Sequence, residues 1–294
     1  MAMNENQQPT PVWELQAELG EGPVWVERDR ALWFVDIKKH HVHRFDPTNG
    51  DRRTFEAPEQ VGFILPADGG GFIAGLQSGL FRFDDRTGGF DPIVQVEPDH
   101  SDNRLNDGVV DPAGRIWFGT MDNREKTKSG AFYRFDRGML SPTGIDGITI
   151  TNGPAVSPDG RTLYLVDTLA GTIRAADIRN DGSLGEPRPF VKIAHTEGHP
   201  DGPTVDSQGC VWIALYNGWE VRRYSPVGDL LQTVQFPVAN ITKIAFGGDD
   251  LRTVFATTAR QLLKPDDIAR QPLIGSLFSF QVEVPGIPCP LAQL

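Results

Sequence analysis

Cysteine is scarce in this chain: Cys210 and Cys289 are the only two. Two thiols build no disulfide framework, and without a CxxC pair they offer no thiolate metal site. Cys210 stands in an apolar run and reads as a buried thiol. Long hydrophobic runs are missing as well. No stretch approaches the roughly 18 apolar residues of a membrane span, and the polar start, Met1 to Pro11, carries no apolar signal segment. A cytoplasmic, monomeric protein with no membrane partner is the expectation. Positive charge is in deficit, with 28 Lys and Arg against 39 Asp and Glu and a net charge of −11. Such a balance disfavours nucleic acid and anionic lipid as partners. Helical periodicity is nearly absent, Lys264 to Gln271 being the one candidate. Two common hydrolytic signatures are missing too, the G-x-S-x-G elbow and HExxH. The six His residues form no metal-ligand spacing. His40, His41 and His43 read as exposed strand residues, and His199 as a loop residue.

What the sequence does hold is a repeat. Its 32 Gly and 23 Pro are scattered rather than clustered, as many short strands joined by tight turns require. A strand pattern recurs six times: Leu32 to Val35, Gly71 to Ala74, Ile116 to Gly119, Leu163 to Val166, Val211 to Ala214 and Val254 to Thr257. Their aromatic anchors are spaced by roughly 39 to 48 residues, the period of a four-stranded propeller blade. A turn precedes each anchor, for example Asp68-Gly69-Gly70 or Pro158-Asp159-Gly160. The predicted fold is all-β, a six-bladed β-propeller with a metal site on its central axis. Residues 1–10 are expected to be a flexible tail and residues 11–294 the propeller. The first strand, near Trp13 to Leu19, should close the ring against blade six near Leu277 to Val284, since propellers protect their edges this way.

Aligning the blades on their inner strands places Glu21, Val61, Asn106, Asn152, Asp201 and Ile241 at one register. Related by rotation, these side chains should ring the axis at one depth. Four of the six carry oxygen, and the two apolar ones can wall a pocket. Asn or Asp before Gly is ordinarily a turn former, as in Pro158-Asp159-Gly160. Asp201 differs because it precedes an inner strand. Glu21 and Asp201 would repel across the axis unless a cation stood between them. An all-oxygen set suits hard divalent ions and also accepts Fe²⁺ or Zn²⁺. The ends of the anchor strands bring Asp36, Gln77, Met121, Asp122, Asp167, Tyr216 and Asn217 to the same rim. Arg104 and the adjacent Asp107 lie beside the ring position Asn106, and Lys243 is the nearest base in blade six.

At these residues the chain resembles the gluconolactonase, senescence-marker protein and regucalcin family. The matching stretches are Leu19-Gly20-Glu21-Gly22-Pro23, Arg104-Leu105-Asn106-Asp107-Gly108, Thr151-Asn152-Gly153-Pro154 and Pro200-Asp201-Gly202. The segment from Cys210 to Arg223 and the pair Gly247-Gly248 also match. The resemblance runs from about Trp13 to Phe280 and is greatest to bacterial aldonolactonases such as xylonolactonase and arabinonolactonase. It implies a six-bladed propeller with one divalent ion, which in the family is Ca²⁺, Zn²⁺, Mn²⁺, Mg²⁺ or Fe²⁺. It implies Glu21, Asn152 and Asp201 as metal ligands, and Arg104 and Asn106 as substrate contacts.

Lactone opening needs a polarised carbonyl and an activated water, and a metal ion serves both needs. Asp201 is the expected general base as well as a ligand, with Glu21 second. Arg104, Asn106, Asp107 and Tyr216 are the expected contacts to a small sugar lactone, an aldonolactone of carbohydrate metabolism. The alternatives are a metal-propeller esterase or organophosphate hydrolase, and a calcium-binding regulatory protein without catalysis.

Overall fold

The computed structural model describes residues 8–294. Of the tail expected over residues 1–10, residues 1–7 lie outside the described residues, and Thr10 already begins a strand. Six antiparallel sheets of four strands follow one another along the chain. Blade one comprises Gly20–Val26, Ala31–Asp36, His41–Phe45 and Arg52–Glu56. Blade two comprises Val61–Pro66, Phe72–Leu76, Gly79–Asp84 and Gly89–Gln95. Blade three comprises Asn103–Val110, Ile116–Asp122, Phe132–Asp136 and Met139–Pro142. Blade four comprises Thr151–Val156, Thr162–Asp167, Thr172–Asp177 and Arg188–Lys192. Blade five comprises His199–Val205, Val211–Tyr216, Glu220–Tyr224 and Leu230–Gln235. Blade six takes Ile241–Gly247, Thr253–Thr258 and Leu277–Gln281, and borrows its outer strand, Thr10–Trp13, from the other end of the chain. The inner strands neighbour one another in chain order, and blade one sits beside blade six. The ring is the six-bladed propeller that the period predicts. The predicted helix is present as Pro265–Arg270, between the second and third strands of blade six. No helix among the described residues is long and apolar enough to cross a membrane.

Each anchor is the second strand of its blade. Both of its faces meet a neighbouring blade, which explains a nearly continuous apolar run in place of alternation. Trp33 of blade one packs on Phe72 of blade two with ring centroids 4.6 Å apart. The indole N–H groups are satisfied in the dry layer, as buried Trp requires. Trp117 donates to Asp111 at 2.8 Å, and Trp212 donates to Asp206 at 2.9 Å. In both cases the acid stands six residues earlier and its other oxygen caps the intervening turn. The D-x-x-G-x-x-W spacing is therefore one structural unit used twice.

Ring closure pairs Thr10 with Ser279 and Trp13 with Leu277. It also corrects one expectation. His43 is buried rather than exposed, because the closing strand lays Trp13 over it with centroids 5.4 Å apart. Its Nδ1 meets Thr54 Oγ1 at 2.9 Å, while Nε2 has no partner. Burial first, then the positive fields of His41 and Lys39, push its pKa from 6.5 down to about 3. The native state thus refuses a proton that the unfolded chain accepts below pH 6.5. Stability contributed by the neutral ring is whole above that pH and falls as pH drops towards 3. By pH 5 the loss is about 2 kcal/mol. His43→Phe should remove it: the variant should gain on wild type by roughly that amount between pH 8 and pH 5, measured by urea unfolding at both. An equal gap at the two pH values would contradict the buried neutral imidazole.

The chain beyond Gln281 straps the end of the ring opposite the starts of the inner strands. It hydrogen-bonds to loops of four blades, through Ser207 N to Pro285 O, Gly286 N to Leu251 O, Ala292 N to Pro66 O and Gln293 N to Gly114 O.

Candidate active site and metal centre

Every inner strand breaks register with its neighbour at one level. The shifts fall between Glu21 and Val24, Val61 and Phe63, Leu105 and Gly108, Asn152 and Ala155, Pro200 and Pro203, and Ile241 and Lys243. A bulge bends its strand and re-aims a side chain. Here it turns side chains onto the axis. Gly22 and Gly153, which follow Glu21 and Asn152, have φ of +53° and +73°, a region that only glycine enters without strain.

Glu21, Asn106, Asn152 and Asp201 meet in a cavity of about 330 Å³ at the strap-free end of the axis. Arg104, Met121, Tyr216 and Asn217 also line it. Val61 and Ile241 lie fully inside the apolar core. The apolar walls are instead Leu19, Ile150, Leu169 and Leu263.

A chain of hydrogen bonds fixes the amides. Arg104 Nε donates to Asn123 Oδ1 at 3.2 Å and Nη1 to Asn106 Oδ1 at 2.6 Å. Asn106 Nδ2 donates to Thr151 O at 2.6 Å and Asn152 Oδ1 at 3.0 Å. Asn152 Nδ2 donates to Thr168 Oγ1 at 2.9 Å. With both ends of its amide assigned, Asn152 keeps one oxygen lone pair for another partner.

The carboxylates are less well served. Glu21 Oε2 accepts from Gly22 N at 2.8 Å, and no side chain donates to Asp201 among the described residues. Burial, then the charge of Asp107, pushes Glu21 up to about 8. Burial, then Glu21 and Asp107, raises Asp201 well above the usual carboxylate range. Two buried acids, both raised by burial and Asp107 and one of them by the other, with a neutral amide oxygen beside them, fit a hard divalent cation. Among the described residues no three His, Cys, Asp or Glu side chains gather into a metal cluster. The mixed carboxylate–amide set is therefore the candidate centre.

Asp107 does not join the cavity. Its carboxylate is buried against Lys243, and it is absent from the lining. The Tyr216 hydroxyl lines the cavity but donates to Gln261 O at 2.5 Å, so towards a ligand it can only accept. Burial, then the charge of Asp201, raises its pKa, which keeps that proton in place. Several expected rim acids serve turns instead. Asp36 accepts from Glu18 N at 2.9 Å and Leu19 N at 3.1 Å, and Asp122 from Lys126 N at 3.0 Å and Thr127 N at 2.7 Å. Asp167 accepts from Ala170 N. His199, expected in a loop, instead opens the inner strand of blade five and lines the cavity, with its ring 5.5 Å from His195. Thr168, Glu125 and Gln261 were missed by sequence reasoning. Thr168 and Glu125 stand just beyond the ends of anchor strands, and Gln261 in the loop after one, so a wider window on the same register would have found them. Glu125 of blade three accepts from Gln261 Nε2 of blade six at 3.1 Å, across the mouth.

Residues 19–260 match the family model described as SMP-30/Gluconolactonase/LRE-like region. A 6-deoxy-6-sulfogluconolactonase of Pseudomonas putida is 35% identical over 274 residues, 93% of this chain and 94% of its own. An L-arabinolactonase of Azospirillum brasilense is 34% identical over 284 residues, 95% and 94% of the two chains. The crystal structure of regucalcin from Agrobacterium tumefaciens, described as a calcium-binding protein, matches with a TM-score of 0.95 at 28% identity and covers all of both chains.

Proposed function

The chain belongs to the SMP-30/gluconolactonase/LRE-like family, and on that premise we propose that its axial cavity hydrolyses a sugar-derived lactone to the open aldonic acid. The observation that carries this reading is the pair of buried acids, Glu21 and Asp201, beside a fixed amide and a guanidinium in one cavity whose remaining walls are largely apolar. Glu21, Asp201 and Asn152 Oδ1 would hold one divalent ion, a role also supported by the calcium-binding regucalcin of the same fold. Such an ion supplies Lewis-acid polarisation of the ester carbonyl and makes water more acidic.

The protein's own groups do the rest. Asp201 takes the proton of the attacking water and returns it to the ring oxygen as the acyl C–O bond breaks, leaving the free hydroxyl and the carboxylate of the open acid. Arg104 is charged at neutral pH even though burial pushes it down to about 10, and it steadies the negative charge that grows on the carbonyl oxygen. Asn106, held from both sides, positions Arg104 and the Asn152 amide together. The Tyr216 oxygen and Asn217 accept and donate to the ring hydroxyls. Leu169 and Leu263 cover the ring's carbon faces and exclude bulk water.

A substrate panel tests this. Five- and six-carbon aldonolactones should exceed a hydroxyl-free γ-lactone and a phosphotriester in kcat/KM by about 10²-fold or more, since a site built for hydroxyls penalises analogues lacking them. Chelation should abolish turnover, and one of the five family ions should restore it. Equal turnover of the hydroxyl-free lactone or the phosphotriester would end the sugar-lactonase reading. Stoichiometric Ca²⁺ binding with no lactone turnover would favour the calcium-binding role instead.

A further inference from the structure

Below the ring of ligands, one ion pair crosses the central channel. Lys243 stands on the inner strand of blade six and Asp107 on that of blade three, directly opposite in a ring of six. Lys243 Nζ donates to Asp107 Oδ1 at 2.5 Å and to Oδ2 at 2.6 Å. The same oxygens accept from Gly108 N at 2.8 Å and Gly153 N at 3.0 Å. Asp107 is 1% exposed and Lys243 7%. The lysine stem passes over Gly202, immediately after Asp201, where a Cβ would stand 2.6 Å from Lys243 Cγ. A second axial cavity of about 120 Å³ lies beyond, bordered by Lys243 and by Pro288 and Cys289 of the C-terminal strap. Neither member of the pair lines the upper cavity. The pair is the floor between the two.

Three buried carboxylates share this axis: Glu21, Asp201 and Asp107. Asp107 raises the proton affinity of both Glu21 and Asp201, and Lys243 lowers it, so both charges are felt at the candidate ligands. Of the three, Asp107 alone has a salt-bridge partner, Lys243, which leaves Glu21 and Asp201 as the two acids open to a cation. Arg104, the other buried cation, hydrogen-bonds Asn106 and also lowers the proton affinity of Glu21, but it has no salt bridge among the described residues.

We propose that Lys243 is a built-in cation that takes a second cation position on the axis. It cancels Asp107, so that Glu21 and Asp201 hold a single divalent ion and none enters beneath it. This makes Lys243 a positioning residue, and it rests on the metal-site reading given above. It differs from a purely structural floor in the sign of its consequences. A structural floor, once broken from either side, should loosen the site both times. A charge balance should tip in opposite directions.

The experiment titrates metal-stripped full-length protein with CaCl₂ alone and with MnCl₂ alone, by calorimetry, for wild type, Lys243→Met, Asp107→Asn and the double variant. Thermal unfolding of each protein, with and without the ion, provides a second readout. Wild type should bind one equivalent. Lys243→Met frees a third carboxylate, and should bind a second equivalent or hold the first about 10-fold tighter. Asp107→Asn leaves an unpaired ammonium beside the ligands, and should weaken binding about 10-fold, the scale of an outer-shell defect at a metal site. The double variant should return to within about 3-fold of wild type, its two defects cancelling. If Lys243→Met does not fold, the decision passes to the other pair: the double variant must bind more tightly than Asp107→Asn alone. Single variants that both weaken binding, or both leave it unchanged, overturn the proposal while the metal site stands. A wild type that binds neither ion overturns the metal site, and this inference with it.

Discussion

Asp201→Asn should lose its metal-dependent stabilisation and nearly all turnover, yet unfold at a higher temperature than wild type once both are stripped of metal. The two effects have one cause. Glu21 and Asp201 are 4% and 6% exposed; burial and the charge of Asp107 raise the proton affinity of both, and Glu21 raises that of Asp201. Without an ion the native state must either protonate or bear two buried acids at a cost the unfolded chain does not meet, and the amide removes one of them. With an ion, half of the compensating charge has gone. Wild type at an ion concentration 100 times its Kd should gain about 2.7 kcal/mol, and the variant should gain less than about 1 kcal/mol. The value of kcat/KM should fall by about 10³-fold or more, roughly 4 kcal/mol of transition-state stabilisation. Glu21→Gln should behave likewise. Asn152→Ala should bind metal weakly without the compensating gain, because it removes an oxygen donor and no charge. Thermal unfolding with and without ion, elemental analysis and lactone kinetics together decide the matter. An Asp201→Asn protein that keeps one equivalent of metal and the wild-type thermal shift is not missing a ligand, and the assignment would fall.

The fold and the ring were legible for the same reason. A repeat of fixed period places equivalent residues at equivalent depths, so six short segments sufficed to bring Glu21, Asn106, Asn152 and Asp201 together across the chain. Asp107 shows where that logic stops. It follows Asn106 directly and was expected to share its role, but both lie in the bulge between Leu105 and Gly108. The bulge sends Asn106 into the cavity and Asp107 across the axis beneath it. Its partner, Lys243, is 136 residues away, and no local pattern announces that contact. The acids at the ends of the anchor strands failed differently. Asp36 and Asp122 have the right register, but neighbouring backbone N–H groups claim their oxygens. His43 was misplaced because the residue that buries it, Trp13, arrives from the far end of the ring closure. Repetition is readable from sequence, whereas competition for a side chain's hydrogen bonds is not.

Arg104→Met should retain the metal and lose turnover by about 10²- to 10³-fold in kcat/KM, the cost of removing one donor from a developing negative charge. Arg104 is 2% exposed, and no carboxylate pairs with it among the described residues. Its hydrogen bonds go to neutral oxygens of Asn123, Leu105 and Asn106. Burying a cation on such terms is costly, and burial does push its pKa downward. A stability role is therefore a poor account of it. Glu125, Glu21 and Asp201 offset part of that cost; on the proposed mechanism the rest is recovered towards the cavity, on the charge made during the reaction. The loss should fall on kcat rather than KM, because an interaction formed only in the transition state affects kcat and kcat/KM equally. Arg104→Lys should recover less than about 10-fold of it. An ammonium restores the charge but cannot span Asn106 and Asn123 while also facing the substrate, as the planar fork does. Metal content measured alongside separates this from ligand loss, since Asn106 still donates to Asn152. An Arg104→Met enzyme that keeps kcat/KM within 10-fold of wild type would leave the buried guanidinium without a catalytic role. A variant that loses the ion as fully as Asp201→Asn would move Arg104 into the support of the metal centre.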